Sequence, residues 1–279
     1  MERIKLIALD LDGTALNSER NLTEKTAAVI RVAIANGIHV VFCTGRTLPE
    51  LRILLNQLPE IRYLVCGNGS GVLDLTTGNI IYENKLSYPL QEKILEVLSG
   101  RDVMLELFLG PDVFVDLSCL ENLNHYVFDS FQKVVRESRT PTEDIRALIR
   151  ATKAPADKLH VFFHTESERR EVWDALKPLD LQLSSSLQNN LEINSSTADK
   201  GEGLRQLCRY LHVSPDETMA VGDNSNDYTM MTFAGLSVAM ENSIPEVRRM
   251  ADCITKSNDA DGVAFAIEQY ALLPRKIHL

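Results

Sequence analysis

Short apolar segments that end abruptly in polar residues recur along this chain, and they constrain its fold more than any other feature. The segment at 4–9 ends in Asp10, and the segment at 39–43 ends in Thr44 and Gly45. Apolar runs of this length fit strands that are covered on both faces, as in parallel sheets. Because amphipathic segments that predict helices separate them, we expect a parallel α/β fold.

The same pattern returns near the C-terminus, where the apolar segment at 218–221 leads into Gly222 and Asp223. Between residues 83 and 189 the pattern changes to alternating or aromatic-rich candidate strands among polar helices, an order typical of α+β proteins. The sequence therefore predicts a core domain, residues 1–82 and 190–279, that is interrupted by an inserted domain at 83–189.

Composition excludes several classes of protein. A net charge of −10 without a basic cluster argues against a nucleic-acid partner, although a small phosphorylated ligand stays compatible if a divalent cation supplies local positive charge. The five cysteines are scattered, which predicts neither a zinc site nor a disulfide framework. We find no signal peptide and no membrane-spanning segment, so we expect a cytoplasmic protein, a monomer or a small homo-oligomer, with no membrane partner.

The sharpest chemical signal follows the first predicted strand, where Asp10 and Asp12 precede Gly13 and Thr14. Ligands of open parallel sheets bind at the carboxyl ends of the strands. Two carboxylates placed there favour metal binding, proton transfer or both, because like charges close together raise a pKa or require a cation. Taken alone, the motif also fits a solvated turn.

Three further motifs are weaker when each is taken alone. Thr44, Gly45 and Arg46 could hold phosphate oxygens at the start of the next helix, or simply cap that helix. Lys200 could be an ordinary solvated lysine. The segment from Gly222 to Asp227 carries oxygen ligands suited to Mg²⁺, and it also fits an N-cap cluster.

These motifs, in this order, resemble those of the haloacid dehalogenase (HAD) superfamily of phosphohydrolases. The long insertion before Lys200 is similar to the large α/β (type C2) cap of the Cof-type sugar-phosphatase branch, and the turn at Gly67, Asn68 and Gly69 resembles one that faces the active site in that branch. The resemblance implies a Rossmann-like parallel-sheet core with an inserted α+β cap that provides substrate specificity.

The resemblance also implies a role for each motif residue. Asp10 would be the nucleophile that forms an aspartyl-phosphate, and Asp12 would be the general acid and then the general base. The ligands of Mg²⁺ would be Asp10, Asp223 and the backbone carbonyl of Asp12, with Asp227 an additional ligand or a partner of the ligands. The phosphoryl group would contact Thr44, Gly45, Asn68, Lys200 and Asn226, while Arg46 would contact either substrate or the cap.

We therefore expect a magnesium-dependent phosphatase of small phosphorylated metabolites, with sugar phosphates favoured. The alternative is a phosphatase of a phosphorylated cofactor such as flavin mononucleotide or pyridoxal phosphate. A phosphomutase is less favoured, because mutases of the superfamily usually carry a small helical cap soon after the first motif. An inactive phosphate-binding regulator is also less favoured, because Asp10, Asp12, Lys200 and Asp223 are all retained.

Overall fold

The computed structural model describes residues 3–110, 112–185 and 188–272. The chain divides into two compact units, a core unit (Met1–Arg46, Leu51–Glu83 and Asp199–Leu279) and an inserted unit (Thr47–Glu50 and Asn84–Ala198). The core unit resumes at Asp199 and not at residue 190 as predicted. The reason is that Asn190–Ser195 forms a strand of the inserted unit's sheet.

Strands and helices alternate along both flanking parts of the chain. The strands are β1 (Leu6–Leu9), β2 (His39–Cys43), β3 (Tyr63–Cys66), β4 (Gly71–Asp74), β5 (Asn79–Glu83), β6 (Val103–Leu109), β7 (Asp112–Asp116), β8 (Thr140–Thr142), β9 (Lys158–Phe163), β10 (Leu181–Ser184), β11 (Asn190–Ser195), β12 (Thr218–Gly222), β13 (Leu236–Ala239) and β14 (Cys253–Ile254). The helices are α1 (Glu24–Ala35), α2 (Leu48–Gln57), α3 (Tyr88–Val97), α4 (Leu117–Glu121), α5 (Asp129–Ser138), α6 (Ile145–Thr152), α7 (Glu166–Leu176), α8 (Lys200–Leu211), α9 (Tyr228–Phe233), α10 (Pro245–Met250) and α11 (Gly262–Ile267).

The core unit is built on one sheet with the strand order β14-β13-β12-β1-β2-β3-β4-β5. Its strands are parallel from β14 to β3, and β4 and β5 extend it as antiparallel strands. The predicted parallel α/β core is confirmed.

Both faces of the central strands of this sheet are buried, as the uninterrupted apolar runs predicted. Along β1, Ile7 and Leu9 pack into one apolar cluster with residues of α1 and α11, while Leu6 and Ala8 pack into a second cluster with residues of α8 and α9. Alternate residues of a strand point to opposite faces, so a strand between two helical layers needs an apolar residue at every position.

Local sequence fixes where the first helix of the core begins. Thr23 is the N-cap of α1, and its side-chain oxygen accepts a hydrogen bond from the backbone N–H of Thr26 at 3.1 Å. Such a cap satisfies one of the amide groups that the first turn of a helix leaves without a partner. The helix therefore begins at Glu24, directly after this cap.

The inserted unit has a different sheet, with the strand order β10-β11-β9-β6-β7-β8. Its pairs are antiparallel except for the parallel pair β7 and β8. One face of β6, through Leu105 and Leu107, packs into an apolar cluster with residues of α3, α6 and α7. The other face, through Met104 and Phe162, packs against residues of α4 and α5. A mostly antiparallel sheet with helices packed on it confirms the predicted α+β character of this part of the chain.

Among the helices of the described residues, none combines the length and the apolar character that crossing a membrane requires.

Candidate active site

The predicted motif residues gather at the carboxyl ends of adjacent core strands. Asp10 follows β1, Thr44 follows β2, Asn68 follows β3 and Asp223 follows β12. Because β12, β1, β2 and β3 are neighbours in a parallel arrangement, these four turns lie at the same edge of the sheet. This is the edge at which open α/β sheets bind their ligands.

Lys200 lies at the centre of this group, although its motif was the weakest in the sequence. It begins α8 and is fully buried, and its Nζ donates hydrogen bonds to Oδ1 of Asp10 and to Oδ1 of Asp227, both at 2.6 Å. A fully buried lysine requires such partners, since an unpaired buried charge is costly. The reading of Lys200 as an ordinary solvated lysine is therefore wrong.

Asp227 stabilises the turn that follows β12. Its Oδ2 accepts hydrogen bonds from the backbone N–H groups of Asp223 at 2.9 Å and Asn224 at 3.0 Å, while its Oδ1 accepts from Lys200. Both of its oxygens thus have partners within the protein. Asp227 shapes the turn that carries Asp223, so the N-cap interpretation of this segment is confirmed, and the magnesium interpretation stays a prediction.

The carboxylates of the site have perturbed titration because they are buried close together. Burial raises the pKa of Asp10 well above its ordinary value, and the charges of Asp227 and Asp223 add to the rise, while Lys200 opposes it. Burial and the charge of Asp227 raise the pKa of Asp223 to about 6. Burial alone would lower the pKa of Lys200, but the charges of Asp10 and Asp227 raise it, so the lysine stays protonated.

The single positive charge of Lys200 does not neutralise the charges of three carboxylates. Ligand atoms of Asp10, Asp223 and Asp227 all lie within 4.8 Å of one another, a cluster that could hold a metal ion. The hydroxyl of Thr14 donates to Oδ1 of Asp223 at 3.1 Å and fixes one of these carboxylates. Carboxylate oxygens alone, without histidine or cysteine, form a donor set that suits a hard divalent cation.

Gly13 allows Asp223 to approach the first motif. Its backbone has φ +84°, and a Cβ at this position would lie 2.5 Å from Oδ2 of Asp223. Glycine adopts a positive φ without steric cost, and it alone leaves room for the carboxylate. The glycine of the motif is therefore required twice, by the turn and by the neighbouring side chain.

Asp12 has a different environment from Asp10. Its side chain is 50% exposed, and Arg46 contacts it with two donors, Nε to Oδ2 at 2.8 Å and Nη2 to Oδ1 at 2.5 Å. The sequence predicted that Arg46 contacts substrate or the cap, and it did not predict this pair.

The other predicted phosphate contacts lie at the ends of β2, β3 and β12. The hydroxyl of Thr44 accepts a hydrogen bond from the backbone N–H of Arg46 at 3.1 Å, and Gly45 is half-buried between them. Asn68 is buried with a positive φ of 55°, and its Oδ1 accepts from Nδ2 of Asn226 at 3.4 Å. The structure brings these side chains to the same edge of the sheet as Asp10.

Sequence reasoning missed one residue that supports the site. Asn242 follows β13, donates from Nδ2 to the carbonyl of Gly13 at 2.8 Å, and accepts at Oδ1 from the backbone N–H of Asn258 at 3.0 Å. Its position just after a buried parallel strand is the signal that could have found it.

Comparison with known proteins agrees with this geometry. A family model of haloacid dehalogenase-like hydrolases matches residues 7–267. The chain belongs to this family. It is 34% identical over 277 residues to YxeH of Bacillus subtilis (strain 168), covering 96% of this chain and 98% of that protein.

A second relative of this HAD-like protein has a named substrate. The chain is 31% identical over 274 residues to the 5-amino-6-(5-phospho-D-ribitylamino)uracil phosphatase YcsE of Bacillus subtilis (strain 168), and 96% of each chain is covered. A solved haloacid dehalogenase-like hydrolase from Bacteroides thetaiotaomicron superposes with a TM-score of 0.83 at 28% identity, covering 96% of this chain and 99% of that one. The protein is a HAD-like phosphatase.

Proposed function

We propose that this phosphatase hydrolyses small phosphorylated metabolites, with sugar phosphates favoured, through an aspartyl-phosphate on Asp10 and with Mg²⁺ as cofactor. The observation that carries the proposal is the buried Lys200, held at 2.6 Å from both Asp10 and Asp227 beside the carboxylate of Asp223. An ammonium at this position opposes the rise in the pKa of Asp10 that burial causes, and it offers positive charge to an incoming phosphoryl group.

The residues present fit a magnesium ion. Asp10 and Asp223 would hold it with the backbone carbonyl of Asp12, and Asp227 would act chiefly through the hydrogen bonds that it already makes. When bound, Mg²⁺ supplies positive charge against the repulsion between an anionic nucleophile and an anionic phosphate. Two unit charges about 4 Å apart repel by about 4 kcal/mol at an effective dielectric constant of about 20, so this charge matters for the rate.

The chain's own residues would divide the chemistry among them. Asp10 would attack phosphorus while Thr44, Gly45, Asn68 and Asn226 orient the phosphoryl oxygens. Asp12 would give a proton to the leaving oxygen and later take one from water, two tasks that the nucleophile cannot perform itself. The half-exposed position of Asp12, in contrast to the buried position of Asp10, suits a group that exchanges protons with water.

The substrate class rests on family membership and on one relative. The Cof-type branch favours sugar phosphates, and the named substrate of YcsE is a ribityl phosphate attached to an aminouracil. A phosphorylated sugar alcohol joined to a heterocycle lies between our favoured class and the flavin mononucleotide alternative. We infer that the inserted unit selects among these leaving groups, and that the protein works in the cytoplasm.

Phosphate release from a panel of compounds tests the proposal. The panel comprises sugar phosphates, 5-amino-6-(5-phospho-D-ribitylamino)uracil, flavin mononucleotide, pyridoxal phosphate and p-nitrophenyl phosphate, each with Mg²⁺ or with EDTA. We expect release that EDTA abolishes and that Asp10→Asn reduces to background, whereas Asp112→Asn, at an exposed position of the inserted unit, behaves as wild type. Activity retained by a folded Asp10→Asn protein would overturn the mechanism, and transfer of phosphate within a sugar would indicate a mutase.

A further inference from the structure

We propose that Arg46 is exchanged between two anions during turnover, the Asp12 carboxylate while the site is empty and the phosphoryl group once substrate binds. The inference rests on the proposed roles of Asp10 and Asp12, and it adds a positioning residue that controls when Asp12 becomes available.

The contact between Arg46 and Asp12 occupies both carboxylate oxygens. Nε lies 2.8 Å from Oδ2 and Nη2 lies 2.5 Å from Oδ1, the two-pronged geometry that a planar guanidinium makes with a carboxylate. The side chains are 24% and 50% exposed, respectively. Solvent and salt screen partly exposed ion pairs, so this pair can open without destabilising the fold.

The proposed chemistry of Asp12 requires the contact to open. A general acid carries its proton on a carboxyl oxygen and directs it at the leaving oxygen of the substrate. In the observed contact both oxygens of Asp12 accept hydrogen bonds from Arg46, so the carboxylate is held by the guanidinium. Opening of this contact frees the carboxylate of Asp12 to turn towards the leaving oxygen.

The backbone of Arg46 is fixed beside the predicted phosphate-binding turn. Its N–H donates to Oγ1 of Thr44 at 3.1 Å, and its carbonyl accepts from the backbone N–H of Gly67 at 3.0 Å. The exchange therefore requires a change in the side-chain conformation of Arg46 and no movement of its backbone, which stays next to Gly45. A phosphoryl group carries more negative charge than a carboxylate and also accepts two donors from one guanidinium, so it competes for Arg46.

The exchange is tested by whether substitution of Arg46 changes KM or kcat. With p-nitrophenyl phosphate and saturating Mg²⁺, we expect Arg46→Gln to raise KM about tenfold and to leave kcat within about threefold, because the lost contact serves binding. Arg46→Lys keeps the charge but not the planar guanidinium, so its KM should lie between those of wild type and Arg46→Gln. Arg31→Gln, which breaks an exposed pair with Glu60 elsewhere in the core unit, is the matched control and should change neither value.

If Arg46 instead held Asp12 in its working position throughout, Arg46→Gln would lower kcat tenfold or more at an unchanged KM, and that result would overturn the exchange. The ¹⁵N-edited NMR signal of the Arg46 Nε–H group, assigned by its loss in Arg46→Lys, gives a second measurement. We expect inorganic phosphate to shift this signal in the Mg²⁺-loaded protein, and a signal that saturating phosphate leaves unmoved would contradict the exchange. Asp10→Asn measured in parallel separates the two proposals, since its retained activity would reject the mechanism whatever Arg46 does.

Discussion

Nζ of Lys200 lies 2.6 Å from Oδ1 of Asp10 and 2.6 Å from Oδ1 of Asp227, so one buried ammonium bridges the ends of β1 and β12. Lys200→Met should remove this bridge while keeping most of the side-chain volume. Removing one partner of a buried ion pair costs about 3–5 kcal/mol, because the remaining charges stay buried without a partner. We expect a loss of this size in urea unfolding, and a fall in kcat of about 10²-fold or more.

Lys177→Met is the matched control for Lys200, since Lys177 pairs with Asp174 on the surface of the inserted unit and its side chain is 61% exposed. This change should affect neither stability nor kcat. Mg²⁺ should restore part of the stability of Lys200→Met, because a bound cation would offset the uncompensated carboxylates. Equal stability of the two variants would show that the bridge is unimportant to the fold.

The close approach of Asp223 to Gly13 gives a prediction about the metal. Gly13→Ala should cost about 1–2 kcal/mol for a side chain at positive φ, and its Cβ should also displace the Asp223 carboxylate, which lies 2.5 Å away. We expect the Mg²⁺ concentration for half-maximal activity to rise tenfold or more. Gly78→Ala has the same backbone strain at φ +74° but meets no atom within 4 Å, so it should lose stability and keep its response to Mg²⁺. Identical metal titrations for the two variants would contradict the role of Gly13.

The proposed roles of Asp12 as general acid and general base predict a burst of p-nitrophenol release in the variant Asp12→Asn. p-Nitrophenol is a good leaving group that needs little proton donation, so Asp12→Asn should still form the phosphorylated enzyme and then hydrolyse it slowly. We expect a rapid release of p-nitrophenol stoichiometric with enzyme, followed by a steady state about 10²- to 10⁴-fold slower than wild type. Stopped-flow absorbance measures both phases. The double variant Asp10→Asn with Asp12→Asn should show no burst, and a burst that persisted there would exclude Asp10 as its source.

The position of the site could be predicted from the sequence because it depends on where the buried parallel strands end. Buried parallel strands read as short apolar runs, and the residues that follow them must meet at one edge of the sheet. Asp10, Thr44 and Asp223 were located in this way. Family resemblance then added roles that the residues alone left open, and these roles stay predictions until they are tested.

The partners of the side chains could not be predicted, because they depend on distances between strand ends and not on sequence spacing. The contact of Arg46 with Asp12 and the two contacts of Lys200 are of this kind. The second domain boundary was misplaced although the sequence carried a signal for it. β11 pairs with β9 of the inserted unit, and its alternating polar and apolar residues match the strands of that unit and not the apolar runs of the core.

The sequence also gave no indication of a buried ionic cluster inside the inserted unit. Glu106 lies on β6 with its side chain fully buried, and it accepts from Nε of Arg139 at 2.7 Å, from Nη2 of Arg139 at 3.0 Å and from Nδ1 of His160 at 3.0 Å. Burial is the largest single influence and raises the pKa of Glu106, but the charges and hydrogen bonds of Arg139 and His160 together outweigh burial and lower this pKa to about 2. Glu106 is therefore charged in the folded protein over most of the acid range.

This lowered pKa predicts how stability depends on pH. The ordinary pKa of a glutamate is 4.5, so above that pH the cluster contributes its full stabilisation, and the contribution is lost as pH falls from 4.5 towards about 2. The shift corresponds to about 3 kcal/mol. We expect Glu106→Gln to lower the free energy of unfolding by about this amount at pH 7, and the difference from wild type should shrink below pH 4.5.

Fluorescence of Trp173 gives a local measurement of this effect, since it is the one tryptophan of the chain and lies on α7 of the inserted unit. Urea titrations at several pH values between 7 and 3 would follow the difference between wild type and Glu106→Gln. Glu166→Gln is the control, because Glu166 pairs with Arg170 on the surface with 49% of its side chain exposed, and such pairs contribute about 0–1 kcal/mol. A stability difference for Glu106→Gln that stayed constant with pH would mean that its charge does not stabilise the cluster, and that packing alone explains the loss.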